Sequence, residues 1–145
     1  MPWWIGHWHA EQPVLNLAAL RWVGALMIVV GGWVLLDSFA RFAIQGIGTP
    51  APVFPTERLV VSGLYRYVRN PMYIAVGLLI FGQALLFGDI RLLVYGAAIS
   101  IVFHIFVIAY EEPTLRETFG SQYEEFCAHV PRWIPRWRAW NGALP

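Results

Sequence analysis

The chain has 145 residues, of which 58% are hydrophobic and 13% charged, and its mean hydropathy is +0.54. Charged residues form about a quarter of a typical soluble domain, so this composition excludes a disordered tail and an ordinary water-soluble globule. All ten basic residues are arginines, and nine acidic residues reduce the net charge to +1, which gives no long-range field that would steer nucleic acid to the chain. The single cysteine, Cys127, excludes an intramolecular disulfide and a cysteine-rich metal site. The length fits one domain over 1–145.

Residues 1–12 contain Trp3, Trp4 and Trp8 but no basic residue, so we predict a segment that lies on the membrane rather than a secretory signal. Three apolar segments follow, each long enough to cross a bilayer as a helix. A soluble core helix imitates one such segment, but three together are typical of a membrane protein. The sequence therefore predicts an all-α integral membrane protein with spans over about 20–40, 72–88 and 91–110.

Polar residues near these spans carry further expectations. Asp37 lies four residues before Arg41, which predicts a helical ion pair at the end of the first span. Gly88 and Asp89 form a turn that makes the second and third spans a helical hairpin. We expect Gln83, the polar interruption of the second span, to hydrogen-bond between helices.

Arginines are concentrated in two of the segments outside the spans. Four lie in the loop 41–71 and four in the C-terminal region 111–145, whereas Arg91 stands alone in the hairpin turn. By the positive-inside rule, the loop and the C-terminal region lie on the cytoplasmic side, and three spans leave the N-terminus outside.

The loop ends in a cluster of aromatic and hydrogen-bonding side chains that includes Tyr65, Arg69, Asn70 and Tyr73. Pro71 suits the first turn of the second span, whose unpaired N–H groups favour a carboxylate or another anion. The alternative is an interfacial belt, with arginines on lipid phosphates and tyrosines at headgroup depth.

A polar stripe on the third span leads to a second cluster. At about 100° per residue, Gly96, Ser100, His104 and Glu111 fall on one side of the helix, so we expect them to face protein. Glu112 then points about 100° away. We expect His104 to be a packed histidine that donates to a backbone carbonyl rather than a catalytic base.

Two adjacent carboxylates at a helix C-terminus repel each other and oppose the helix dipole. Their presence predicts a cationic partner, which is either a bound ligand or an arginine of the loop. The purely structural alternative is an ion pair between Glu111 and Arg69 that closes the helix bundle.

After Pro113 the pattern predicts a new surface helix that Gly120 divides, with Ser121 and Glu124 as a capping box for its second half. The segment 130–140 is too rich in proline for a helix. It alternates aromatic residues with arginine, so we expect it to lie at the membrane interface and to cover the site from the cytoplasm.

Together the loop and the C-terminal region predict a polar pocket at the cytoplasmic headgroup level. The sequence contains no P-loop, no GxGxxG turn, no HExxH helix and no convincing Ser-His-Asp set. Such a pocket suits a soluble cofactor that meets a lipid-borne substrate.

Several spaced motifs occur in order over residues 46–137, namely Gly63-Leu-Tyr65 with Arg69-Asn-Pro-Met-Tyr73, Gly82-Gln83, Glu111-Glu112-x-x-Leu115, Phe119-Gly120-x-x-Tyr123 and Val130-Pro-Arg132. In this order they resemble the isoprenylcysteine carboxyl methyltransferase and phospholipid methyltransferase group, whose members are integral membrane enzymes that use S-adenosylmethionine. The resemblance implies a cytoplasmic-side pocket for S-adenosylmethionine. The implied cofactor contacts are Leu59, Val60, Tyr65, Asn70, Pro71, Met72, Tyr73 and Glu111. Catalytic roles are left open, with Arg69, Glu112 and His104 as candidates.

Two positions depart from the family pattern. Asn70 stands where histidine is common, and Val107 stands where members specific for prenylcysteine carry an arginine suited to a substrate carboxylate. The second departure argues against a prenylcysteine and leaves open a lipid amine, a carboxylate, a thiol or another small or lipophilic acceptor. Members of the family usually have at least one more N-terminal span than the three predicted for this chain.

Two other functions are kept as alternatives. Membrane sterol and enone reductases, which use NADPH, show related proline-tyrosine and aromatic-proline patterns. The chain lacks an evident basic cluster for the 2′-phosphate of NADPH beyond its interfacial arginines. The other alternative is a non-catalytic membrane scaffold.

Overall fold

The computed structural model describes residues 18–41, 43–44 and 59–142. The interfacial segment predicted over 1–12 lies outside these residues. Within the described part of the chain the structure is helical and contains no β-strand. The α-helices are α1 (Ala18–Arg41), α2 (Pro71–Phe87), α3 (Ile90–Phe106), α4 (Glu112–Phe119) and α5 (Ser121–His129).

The chain divides into two compact units, and the boundaries cut through α1, α2 and α3. The first unit is formed by residues 1–33 and 73–104, which are almost entirely apolar in the described part. The second is formed by residues 34–72 and 105–145 and contains most of the charged side chains.

In the first unit, glycines allow the helices to approach each other closely. A methyl group added at Gly24 of α1 would lie 2.6 Å from the carbonyl oxygen of Gly82 in α2. One added at Gly96 of α3 would lie 2.9 Å from the ring of Phe81 in α2. Apolar helices without polar partners depend on such contacts, since close packing rather than exclusion of water stabilises them in lipid.

The turn between α2 and α3 lies where the sequence predicts it. The Asp89 N–H donates to the Ala84 carbonyl at 3.1 Å, and Gly88 has a positive φ of 68°. The Asp89 carboxylate then accepts from the Arg91 backbone N–H at 2.8 Å. This side chain therefore caps the start of α3.

Two helices are long and apolar enough to cross a membrane. They are α1, with 24 residues, and the continuous helix Ile90–Phe119, with 30 residues. Large apolar side chains cover the exposed surface of α1, including Trp22 and Trp33, as expected of a helix that faces lipid. The helix expected over 72–88 is present as α2, but its 17 residues reach only about 25 Å, so this span stays a prediction.

The third apolar helix does not end near Tyr110, which corrects the expected restart after Pro113. A π-helical turn over Val107–Glu111 connects α3 directly to α4. A proline lacks an N–H donor and clashes with the preceding turn, and the wider π-turn immediately before Pro113 opens the helix at that point. The helix therefore continues to Phe119.

The division between α4 and α5 at Gly120 is confirmed, but the capping box is not. Gly120 itself caps α5, because its carbonyl accepts from the N–H groups of Tyr123 and Glu124. Ser121 is already the first residue of the helix, and the Glu124 carboxylate pairs instead with Arg116 at 2.9 Å.

Polar residues in α2 and α3 depart from the predictions. Gln83 donates to the Leu79 carbonyl of its own helix at 3.0 Å, rather than between helices. Ser100, which is exposed, donates to the Gly96 carbonyl at 2.8 Å. His104 is exposed, so its expected packing is wrong, whereas its expected bond to a backbone carbonyl stays a prediction. Local bonds to carbonyls four residues earlier satisfy the short polar side chains, so no neighbouring helix is needed.

Candidate functional site

The second unit begins with the C-terminal turn of α1, where the predicted ion pair is confirmed. The Arg41 guanidinium donates to both carboxylate oxygens of Asp37, at 2.8 and 3.0 Å. It also reaches the Ser62 hydroxyl at 3.4 Å. Arg41 therefore ties the end of the apolar helix to the loop that precedes α2.

A 3₁₀ turn over Gly63–Arg66 shapes this loop. Its glycine has a φ of 53°, a left-handed conformation that side chains disfavour. A methyl group at Gly63 would also overlap the Arg41 guanidinium. Both observations explain why glycine occupies this position of the motif.

Tyr65 is the buried residue of the 3₁₀ turn. Burial raises the pKa of its phenol, and the nearby carboxylates of Glu111 and Asp37 raise it further. Arg41 already compensates Asp37, so Glu111 is the other carboxylate near this phenol. An aromatic ring next to a carboxylate is a setting that favours a small organic cation.

The strongest ionic cluster of the described residues surrounds Glu112. Arg132 donates to both of its carboxylate oxygens, at 2.6 and 3.0 Å, and Arg69 donates to one of them at 3.1 Å. The Glu112 side chain is 5% exposed and that of Arg69 is 11% exposed. The hydrogen bond with Glu112 raises the pKa of Arg132. A buried carboxylate requires such compensation. Glu112, Arg69 and Arg132 therefore depend on one another.

This cluster corrects the predicted orientation of the two adjacent carboxylates. Glu112, which is 4% exposed, faces the protein interior, whereas Glu111 is partly exposed. The ion pair considered between Glu111 and Arg69 is made by Glu112 instead. The π-turn explains the difference, because its extra residue rotates all later positions by about 100° relative to a regular helix.

Arg69 has a second partner in α5. Its Nη1 lies 2.9 Å from the Cys127 sulfur, while its Nε is buried without a hydrogen-bond partner in the described part of the chain. Burial raises the pKa of the adjacent Tyr123 phenol, and Cys127 raises it further. The orphaned Nε is a donor that a bound anion or a water molecule would satisfy.

Asn70 lies immediately before α2, and the helix begins at Pro71 as predicted. The Asn70 side chain is buried and donates to the Arg132 carbonyl at 3.2 Å. A proline at the first helical position leaves the next N–H groups of that turn without intrahelical partners. These groups form the anion-attracting end of α2.

The segment 130–140, which we call the tail, lies along residues 66–69 in the opposite chain direction. The Arg69 N–H donates to the Pro131 carbonyl at 2.9 Å, and the Arg136 N–H donates to the Tyr67 carbonyl at 3.0 Å. The prediction that this segment is not helical is confirmed. Its cytoplasmic location stays a prediction.

An apolar core supports the tail and the loop. Tyr123, Phe126, Val130 and Trp140 are buried together, and Leu59 and Val61 of the loop pack against them. Two sequence regions far apart in the chain therefore share one core, which fixes the Arg69–Asn70 segment against the tail.

Most of the predicted cofactor residues belong to the second unit, namely Leu59, Val60, Tyr65, Asn70, Pro71, Met72 and Glu111, and so do Arg69 and Glu112. Tyr73 and His104 belong to the first unit, in which the Tyr73 ring packs 4.8 Å from that of Phe103. Sequence reasoning assigned no role to Arg132, although its Val-Pro-Arg motif was noticed. The structure identifies it by its two hydrogen bonds to the buried Glu112 carboxylate.

Comparison with known proteins identifies one family. A family model described as phospholipid methyltransferase matches residues 19–122, which is most of the chain and includes all of the predicted site residues. Searches of curated proteins and of solved structures find no match.

Proposed function

Because the chain belongs to the phospholipid methyltransferase family, we propose that it transfers a methyl group from S-adenosylmethionine to a lipophilic or small acceptor at the membrane. The family match implies a membrane methyltransferase, in agreement with the two helices long and apolar enough to span a bilayer. The cofactor, the acceptor class and the cytoplasmic location of the site are parts of the proposal.

The observation that carries the proposal is the set of groups that the second unit assembles. S-adenosylmethionine has an ammonium group, a sulfonium and a carboxylate. Glu111 and the buried Tyr65 form a negative, aromatic environment for the cationic groups. The start of α2 and the orphaned Nε of Arg69 are donors for an anion. The residues present therefore fit the charges of this cofactor.

Glu111 and Glu112 have different roles in this proposal. Glu112 is bound by Arg69 and Arg132, so it holds the loop and the tail together. Glu111 is partly exposed and lies near Tyr65, where it is suited to bind the ammonium group of the cofactor. Leu59, Val60, Asn70, Pro71, Met72 and Tyr73 complete the proposed cofactor set.

When bound, S-adenosylmethionine supplies an electrophilic methyl group on a sulfonium. The residues that hold the cofactor would then have to align this methyl group with the acceptor atom and exclude water. An amine or a thiol acceptor must also lose a proton, whereas a carboxylate need not. No base is assigned, and Arg69, Glu112 and His104 stay candidates for roles in catalysis.

Calorimetric titration in detergent micelles tests the proposal. We expect S-adenosylmethionine and S-adenosylhomocysteine to bind and NADPH not to bind. Glu111→Gln and Tyr73→Phe are expected to weaken both interactions, whereas Glu117→Gln, an exposed acid of α4, serves as the matched control. Binding of NADPH alone would favour the reductase alternative. Failure of all three ligands to bind a folded protein would favour the scaffold.

A further inference from the structure

The tail contains an exposed tip, which we define as residues 133–138. Both ends of this tip are fixed. Val130 before it and Trp140 after it are buried in the apolar core. The Trp140 N–H donates to the Arg66 carbonyl at 2.9 Å, and the Trp140 ring stacks on His129 with centroids 5.2 Å apart. The tip is therefore an ordered projection.

Two large apolar side chains of the tip are exposed. Trp137 is 100% exposed and Ile134 is 79% exposed, whereas Trp140, three residues further, is 8% exposed. The same segment thus buries one tryptophan in the core and presents another. Tryptophan with its amphipathic ring is typical of the boundary between lipid headgroups and acyl chains.

The charge of the tip is positive. No acidic residue follows Glu125 in the sequence, and the tip contains Arg136 and Arg138. Arg132, just before the tip, is already neutralised by Glu112. Two arginines next to the exposed Trp137 are complementary to anionic phospholipid headgroups above an apolar layer.

The position of the tip in the chain also favours a bilayer as its partner. The tip is attached to the loop by the hydrogen bond from the Arg136 N–H to the Tyr67 carbonyl. Only four residues after Tyr67, the apolar helix α2 begins at Pro71. The tip is therefore hydrogen-bonded to a segment that leads directly into an apolar helix.

We propose that the tip of the tail is a bilayer anchor that is specific for anionic phospholipid. Ile134 and Trp137 enter the boundary between headgroups and acyl chains, while the exposed Arg138 binds a lipid phosphate. Arg136 is partly buried and donates to the His129 carbonyl at 2.6 Å, so it contributes positive charge beside Arg138. Because Pro131 and Arg132 hold the Arg69–Asn70 segment, the anchor couples the charge of the membrane surface to the candidate site. This inference rests on the membrane residence that the family implies.

Depth-dependent quenching tests the insertion of Trp137. The full chain is placed in nanodiscs of phosphatidylcholine with brominated acyl chains, with or without one part in three of phosphatidylglycerol. The spectrum of the Trp137→Gln variant is subtracted from that of the unchanged protein. We expect the Trp137 component to be quenched by bromine, more strongly with the anionic lipid. Trp33, on the lipid-facing surface of α1, is the control, because its quenching does not depend on headgroup charge.

Tryptic cleavage after Arg136 tests the role of charge. We expect the anionic lipid to slow this cleavage, and the Arg138→Gln variant to lose about fivefold of that protection, the effect expected of one arginine near an anionic surface. The effect should decrease as salt is added. Arg116→Gln, at an exposed arginine of α4, should leave the protection unchanged.

A Trp137 component that only acrylamide quenches, or equal cleavage rates in both lipids, would overturn the anchor. Calorimetry with S-adenosylmethionine on the same samples separates this outcome from a failure of the proposed function. A chain that binds the cofactor but shows no lipid quenching refutes only the anchor. A chain that shows the quenching but binds no cofactor supports the anchor and refutes only the methyltransferase proposal.

Discussion

Glu112→Gln is the substitution that tests the arrangement of the site most directly. The change removes the negative charge of a carboxylate that accepts three hydrogen bonds from Arg132 and Arg69, at 2.6, 3.0 and 3.1 Å. Two guanidinium groups would then lie beside an uncharged amide, one of them on a side chain that is 11% exposed. The substitution leaves the cations in place and removes what compensates them.

Breaking a buried ion pair by removing one partner costs about 3–5 kcal/mol. Arg132 is 32% exposed, so water partly compensates it, and we expect the lower limit of about 3 kcal/mol. For a chain of this size the loss corresponds to about 10 °C in the midpoint of thermal unfolding. Circular dichroism or tryptophan fluorescence in detergent measures that midpoint.

Glu117→Gln, at an exposed acid of α4, is the matched control for Glu112→Gln. It removes one carboxylate of the same helix and leaves the Glu112 cluster intact, so we expect a midpoint within about 2 °C of that of the unchanged protein. Near-normal stability of Glu112→Gln, together with unfolding of Glu111→Gln, would refute the register that the π-turn imposes.

Two further changes test the loop and the core. Gly63→Ala should destabilise the protein by about 1–3 kcal/mol, because alanine at a φ of 53° is strained and its methyl group overlaps Arg41. The control is Gly77→Ala, at a helical site with nothing within 4 Å, which should be neutral or stabilising. Equal effects of the two substitutions would exclude strain at Gly63. Burial raises the pKa of Tyr123 above the 10.0 of an exposed phenol, so the unfolded chain loses this proton first and stability falls as the pH rises above 10. Tyr123→Phe should reduce that alkaline loss in pH-dependent thermal melts, and an unchanged slope would refute its origin in this phenol.

Local sequence patterns predicted the parts of the fold that depend on neighbours in the chain. The Asp37–Arg41 pair, the turn at Gly88, the start of α2 at Pro71 and the division at Gly120 follow from spacings of four residues or fewer. Each is determined by backbone conformation or by a contact within one helical turn.

The helical wheel failed because it assumes one constant angle per residue. The π-turn over Val107–Glu111 breaks this assumption just before the two carboxylates, and nothing in the apolar sequence around it marks the extra residue. An error of one residue exchanged the orientations predicted for Glu111 and Glu112.

Contacts distant in sequence were the other part that could not be predicted. Residues 43 and 20 positions away supply the two guanidinium groups that bind Glu112. The sequence indicates that two adjacent carboxylates need a cationic partner. It does not indicate which of the ten arginines of the chain contacts them. The core shared by the tail and the loop decides that choice.

The antiparallel pairing of the tail with residues 66–69 has a consequence for how the protein is made. The ribosome completes every described helix before it reaches Arg132. The second arginine that binds Glu112 is therefore present only after translation has passed that codon. A message that stops before that codon yields a chain in which Arg69 alone binds the buried Glu112 and no tail pairs with residues 66–69.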